Sequence, residues 1–155
     1  MSAPRILFVC LGNICRSPLV EGVARRRCAE AGLAVEVASC GTGHWHVGEG
    51  ADPRMLSAAA AAGFDLSAHR ARQLRAADLD EYDFVFGMDG DNLRGIGRFV
   101  TPRSRAETGR FLSWSGAAPP EDFPDPYYGD ANGFTRCVAL AERGVAGLLE
   151  RLRRR

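Results

Sequence analysis

No apolar run in the sequence is long enough to cross a bilayer, and the N-terminus lacks a basic stretch followed by a long apolar region. Both absences lead to the expectation of a cytoplasmic protein without a membrane partner. Charge imbalance is lacking too: twenty basic against nineteen acidic residues leave +1, so no overall field draws the chain to nucleic acid. The five cysteines, Cys10, Cys15, Cys28, Cys40 and Cys137, are an odd number at irregular spacing, a poor disulfide framework. Reduced thiols in a reducing compartment fit better. Repeats and linkers are missing as well. With 155 residues, 46% hydrophobic and 25% charged, the chain suits one soluble domain over residues 1–155. The arginines at 25–27 and at 151, 153, 154 and 155 read as a solvated helix face and a solvated end.

Strand-like and helix-like segments alternate, the pattern of an α/β domain with a parallel sheet. Arg5 to Val9 reads as the first strand, and Pro18 suits the first position of a helix carrying Leu19, Val20 and Val23, with Gly32 as its stop. Leu33 to Ser39 alternates as an edge strand would. Asp52-Pro53 supplies a cap and first turn for an alanine-rich helix ending at Gly63, expected to pack closely on the sheet. Tyr82 to Met88 is a central strand, Asp89 opens a helix toward Arg98, and Arg110 to Trp114 is a fourth strand among turn-rich surroundings. From Ala131 to Leu152, Phe134, Val138, Ala141, Val145, Leu148 and Leu152 mark one face of a long amphipathic helix. The expected architecture is a flavodoxin-like, three-layer domain: a four-stranded parallel sheet in the order 2-1-3-4 with helices on both faces. Ligands of such sheets bind at the carboxyl ends of the strands, where Cys10 falls.

The segment ILFVCLGNICRSP, Ile6 to Pro18, brings a strand into a tight loop and then a helix. Backbone N–H groups at such a helix start lack internal partners, and the helix dipole adds partial positive charge, so the loop from Leu11 through Gly12, Asn13, Ile14 and Cys15 is an anion site. That setting favours a thiolate, the nucleophilic form of Cys10. Arg16 presents a planar fork matched to two phosphate oxygens. Gly12 is expected to take positive φ and close over the anion, and Asn13 tolerates such geometry best among the other residues. Ser17 can donate to the Cys10 sulfur.

An attack on a phosphate ester also needs an acid for the leaving group. Asp125 in FPDPYYG is the candidate, held between Pro124 and Pro126 and followed by Tyr127 and Tyr128, which could wall an aromatic substrate. His44 and His46 flank Trp45, but an i, i+2 pair without further ligand spacing is no metal motif, so neither a metal nor another cofactor is expected.

CLGNICRSP early in the chain with DPYYG late in it resembles the low-molecular-weight protein tyrosine phosphatases, and the resemblance runs on through ASCGTGHWHVGEGADPR, SAHRARQL and MDGDNL. It implies hydrolysis of protein phosphotyrosine through a phosphocysteine, with Cys10 as nucleophile, Arg16 binding phosphate and Asp125 as general acid that later activates water. It also implies a hydrogen-bond network of Asn13, Ser17, Ser39 and His69 that shapes the loop, a cleft wall at Trp45 opposite Tyr127 and Tyr128, and a supporting role for Asp89 and Asn92. Cys15 has two readings, a small buried side chain or a resolving thiol that captures oxidised Cys10; the resemblance favours the second. The implied partner is a phosphotyrosine protein, the implied state a monomer, with a weak dimer as alternative.

Rivals share parts of this pattern. An arsenate reductase of the same fold would need relay cysteines after the third strand, and Asp80 to Phe99 contains none. A phosphoarginine phosphatase would carry Thr where Ile14 stands. A phosphate-binding module without turnover would be expected to have lost the Cys, the Arg or the acid, and a flavodoxin-type electron carrier has no use for Cys10 and Arg16 at this spacing.

Overall fold

Strand β1 (Arg5–Cys10) is buried along nearly its whole length, as a continuous apolar run flanked by two neighbours requires. The computed structural model, which describes residues 3–155, pairs it in parallel with β2 (Glu36–Gly41) on one side and β3 (Phe84–Gly87) on the other. Strand β4 (Glu107–Arg110) pairs with β3, so the order is β2-β1-β3-β4, as expected. Alternate side chains of β1 point to opposite faces. Ile6 and Phe8 join Phe84 and Phe86 in the larger core beneath α1 (Arg16–Glu30) and α6 (Ala131–Arg153). Leu7 and Val9 join Val85 in a smaller core with Leu79 and Ile96, carried by α3 (Ala76–Glu81) and α4 (Gly90–Gly97). Helices thus cover both faces.

Several elements depart from the sequence expectations for identifiable reasons. Helix α1 begins at Arg16, two residues before Pro18. Proline is tolerated there because the first-turn N–H groups have no intrahelical acceptor. Strand β2 lies a few residues later than Leu33–Ser39, and β3 is shorter than Tyr82–Met88. The expected strand Arg110–Trp114 is a correction: β4 ends at Arg110, and Phe111–Trp114 coil into the single turn α5. A strand would send its apolar side chains to alternate faces. The turn instead buries Phe111, Leu112 and Trp114, with Phe111 edge-on to Phe8 at 5.7 Å between ring centroids and Trp114 4.9 Å from Phe86. The alanine-rich helix is also corrected. As α2 (Pro53–Ala61) it packs against α6 rather than closely on the sheet, burying Met55 and Ala59 and leaving Ala60 exposed. Alanine there reflects helix propensity more than burial. Helix α3 was not foreseen; its start is fixed by the buried carboxylate of Asp78, which accepts the Arg75 N–H at 2.8 Å.

Helix α6 buries Phe134, Val138, Ala141, Val145 and Leu148 as its spacing predicted. The arginines at 25–27 form i, i+3 and i, i+4 pairs with Glu21 and Glu30, and Arg27 also reaches Glu142 on α6. Among the described residues no helix is long and apolar enough to cross a membrane.

Candidate active site

Cys10 is the last residue of β1 and Arg16 the first of α1, so the five residues between them must turn sharply at the carboxyl end of the sheet. The turn is made by Asn13, whose φ of 58° places it in the left-handed region, and not by Gly12, which has no positive φ. Asn pays a smaller steric penalty there than most residues. What Gly12 supplies is clearance: a Cβ on it would stand 3.0 Å from the His46 ring.

The side chain of fully buried Asn13 organises the loop. Its Nδ2 donates to Ser17 Oγ at 2.8 Å and to Ser39 Oγ at 3.0 Å, while its Oδ1 accepts the Arg72 N–H at 3.0 Å. His69 Nε2 lies 2.6 Å from the Asn13 carbonyl and so carries its proton on that nitrogen. Every polar group of Asn13 is therefore engaged, which holds a conformation that would otherwise be strained. Ser39 donates onward to Glu21. At the centre, Cys10 Sγ accepts the Asn13 N–H at 3.2 Å and lies 3.0 Å from Ser17 Oγ. Thus Ser17, Ser39 and His69 converge on Asn13, and of the four Asn13 and Ser17 reach the sulfur directly.

Arg16 is only 3% exposed. Its Nη1 donates to Asp89 Oδ2 at 2.7 Å and to the Phe123 carbonyl at 3.0 Å, and Nη2 is 3.6 Å from Asp125 Oδ2. Burial opposes the charged form, but Cys10, Asp89 and Asp125 together outweigh it and hold the guanidinium above its usual pKa. Asp89 in turn caps α4 through Asn92 N–H, and the Asn92 Oδ1 accepts from the Met88 and Asp89 amides. Asp89 and Asn92 thus join Arg16 to the start of α4.

A cavity of about 310 Å³ opens above the loop, lined by Cys10 and Arg16 below and by Trp45, Asp125, Tyr127 and Tyr128 around it. Leu11, Gly12, Ile14, Cys15 and His46 complete the wall. Cys10 is 3% exposed, whereas Trp45 and Tyr128 are 64% and 95% exposed. The apolar rim therefore stands in solvent above a polar floor. Asp125 Oδ1 accepts the Tyr127 N–H at 3.1 Å, an Asx turn that orients the carboxylate.

All five cysteines are free and buried. Burial, reinforced by Asp52 and Cys10, pushes the Cys15 thiol well above its ordinary range, and burial likewise raises Cys28, Cys40 and Cys137, the last to about 11. His44 stacks on Trp45, and His46 Nδ1 lies 3.2 Å from each Glu49 carboxylate oxygen. No cluster of three or more His, Cys, Asp or Glu able to hold a metal occurs among the described residues.

Sequence reasoning missed the Phe123 carbonyl, Glu21, His46 and the Arg72 backbone. Backbone groups carry no residue-type signal; Glu21, one helical turn after Ser17, could have been found from its place on the loop-facing side of α1.

The family model for low molecular weight phosphotyrosine protein phosphatase matches residues 5–155. A low molecular weight protein-tyrosine-phosphatase of Streptomyces coelicolor is 43% identical over 96% of this chain and 93% of its own length. A low molecular weight phosphotyrosine protein phosphatase of Schizosaccharomyces pombe is 43% identical over 86% of each chain. The crystal structure of a protein tyrosine phosphatase from Entamoeba histolytica superposes with a TM-score of 0.91 at 29% identity, covering 98% of both chains. The chain belongs to the low molecular weight phosphotyrosine protein phosphatase family. Its activity is that of a protein tyrosine phosphatase, a phosphoric monoester hydrolase.

Proposed function

We propose that Cys10 is the nucleophile, Arg16 the phosphate-binding cation and Asp125 the general acid and base of this phosphatase, acting on phosphotyrosine in proteins. The observation that carries the reading is the convergence of Cys10 Sγ, Arg16 and Asp125 on one cleft with an aromatic rim. The phosphate would lie over the loop amides with two oxygens toward the Arg16 fork, replacing Asp125 as the charge facing Nη2. Cys10 Sγ attacks phosphorus, the phosphorus–oxygen bond to the tyrosyl ring breaks, and protonated Asp125 gives its proton to the departing oxygen. Water then attacks the phosphocysteine, its proton passes to the Asp125 carboxylate, and the thiolate leaves as phosphate forms.

Leu11, Gly12, Asn13, Ile14 and Cys15 shape the phosphate cradle in this reading, Ser17, Ser39 and His69 support it, and Trp45, Tyr127 and Tyr128 flank the aromatic ring. The protein partner is a phosphotyrosine protein met in the cytoplasm by a monomer. Turnover of an aryl phosphate by freshly reduced protein with a chelator present tests the reaction. Activity is expected, and a phosphorylated Cys10 should be detectable by mass spectrometry after acid quench; absence of turnover overturns the proposal.

A further inference from the structure

The segment that carries Asp125 is tied to the remainder of the molecule at few points. Phe123 is anchored through both its backbone groups, and Cys137 Sγ lies 3.6 Å from the Pro124 carbonyl. Asp125 Oδ2 itself faces Arg16 Nη2 at 3.6 Å and Tyr127 packs part-buried on the larger core; beyond these, Gly129 N–H bonds to Pro126 within the segment, and Asp130 is occupied in capping α6. Tyr127, whose N–H fixes the Asp125 carboxylate, is met from outside by the Arg54 guanidinium, 5.1 Å from its ring centroid.

Arg54 is itself held by Asp52, at the start of the same helix. Asp52 accepts its Nε at 3.1 Å and its Nη2 at 2.8 Å, a forked pairing that leaves the flat faces of the guanidinium for aromatic rings. Phe134, at the start of α6, takes up position 4.6 Å from the same guanidinium carbon. Asp52 is buried and its own N–H donates to the Ile14 carbonyl in the phosphate loop at 2.8 Å. The connection therefore runs from the phosphate loop through Asp52 and Arg54 to Tyr127, and from Tyr127 to Asp125. Its ends are the two parts of the site that must be in register when the ester bond breaks.

We propose that Arg54 is a positioning residue for proton transfer: by bridging Asp52 and Tyr127 it sets the placement of Asp125 relative to the phosphate loop. The proposal rests on Asp125 being the general acid. A merely structural Arg54, needed to cap α2, makes a different demand, because the cap uses the backbone N–H of residue 54 and survives loss of the side chain.

The test compares Arg54→Met, Arg54→Gln, Arg54→Lys and Asp125→Asn on aryl phosphates ranging from p-nitrophenyl, a good leaving group, to phenyl, a poor one. General acids contribute roughly 10²–10⁴-fold, and misplacing one forfeits part of that. Arg54→Met and Arg54→Gln are expected to lower kcat about tenfold for phenyl phosphate and about twofold for p-nitrophenyl phosphate, steepening the dependence in the direction of Asp125→Asn. Arg54→Lys, which keeps a cation over the ring but not the fork, should fall between these variants and the wild type. Equal losses on all esters, or a lower unfolding temperature with an unchanged dependence, overturn the proposal while a steep Asp125→Asn line leaves the acid assignment standing. A flat Asp125→Asn line refutes the acid assignment and this inference together.

Discussion

Asp89 serves Arg16 and α4 with the two oxygens of one carboxylate: Oδ2 lies 2.7 Å from Arg16 Nη1, and Oδ1 accepts the Asn92 N–H at 2.8 Å. The two duties can be separated. Asp89→Asn keeps a good capping residue and removes the charge opposite the guanidinium; Asp89→Ala removes both. Loss of a charge-assisted hydrogen bond of about 1.5–3 kcal/mol should lower kcat/KM on an aryl phosphate about 10- to 100-fold in both variants and weaken inhibition by inorganic phosphate. Asp89→Ala should in addition be less stable than Asp89→Asn by about 1 kcal/mol in urea unfolding. Wild-type phosphate inhibition in Asp89→Asn would contradict the assignment.

Asn13 combines a left-handed backbone with three side-chain hydrogen bonds. Asn13→Ala loses the bonds and keeps a Cβ in the disfavoured region, whereas Asn13→Gly loses the bonds alone. Both should be impaired in turnover, with the glycine variant more stable than the alanine variant by about 1 kcal/mol. The reverse order in an unfolding titration would show that the backbone conformation is not the constraint.

Cys15 is buried in the loop wall, and that burial holds its thiol in the protonated form. If it resolves a Cys10 sulfenic acid, its thiolate attacks the oxidised sulfur, a disulfide forms and the oxygen departs as water. Because the reactive fraction of a thiol with a raised pKa grows about tenfold per pH unit, disulfide formation after peroxide should accelerate steadily toward alkaline pH. Wild type should regain activity with a thiol reductant, and Cys15→Ser should recover less. Identical recovery would remove the resolving role.

Asp78 has no exposed side-chain surface and is held by Arg72 and Arg75 at 3.0 Å each. Burial alone would raise its pKa, but the hydrogen bonds from Arg72 and from the Arg75 backbone prevail and lower it. A depressed folded-state pKa stabilises the protein fully above the unfolded value, about 3.9, and that stability is lost as pH falls below it toward the folded pKa. Asp78→Asn should therefore cost about 1.5–3 kcal/mol near neutral pH, with a smaller deficit toward pH 3. Urea unfolding across that range checks it; a deficit that does not change with pH would exclude the ionic contribution.

The stretch from β1 to α1 was legible because each of its residues has a distinct chemical signature and the local order is enough to place them. Asp89 illustrates the limit. Its cap was readable from Asp89 and Asn92, but its contact with Arg16 spans 73 positions and depends on β1 and β3 lying side by side. Arg54, which closes the segment ASCGTGHWHVGEGADPR, was given no role of its own, since nothing local indicates that Phe134 on α6 and Tyr127 before it come over its guanidinium. The fourth strand was misplaced because Glu107 to Arg110 is a polar edge segment, while the apolar Phe111 to Trp114 beside it carries the stronger burial signal. Gly12 and Asn13 exchanged roles because either residue type satisfies the same turn, and tertiary contact with His46 decides which one must lack a side chain.

The two bonds at Phe123 have a kinetic consequence. With its N–H on the Met88 carbonyl at 2.8 Å and its carbonyl on Arg16 at 3.0 Å, this residue fixes the Asp125 segment at its root to the end of β3, one residue past Gly87, and to the Arg16 guanidinium. A wholesale swing of the segment away from the cleft would have to break both. Motion that keeps both bonds falls to the residues after Phe123, Asp125 among them, so any closure over a substrate is a local turn, and the approach to the proposed phosphoenzyme should be a single phase in stopped flow with no separate slow step.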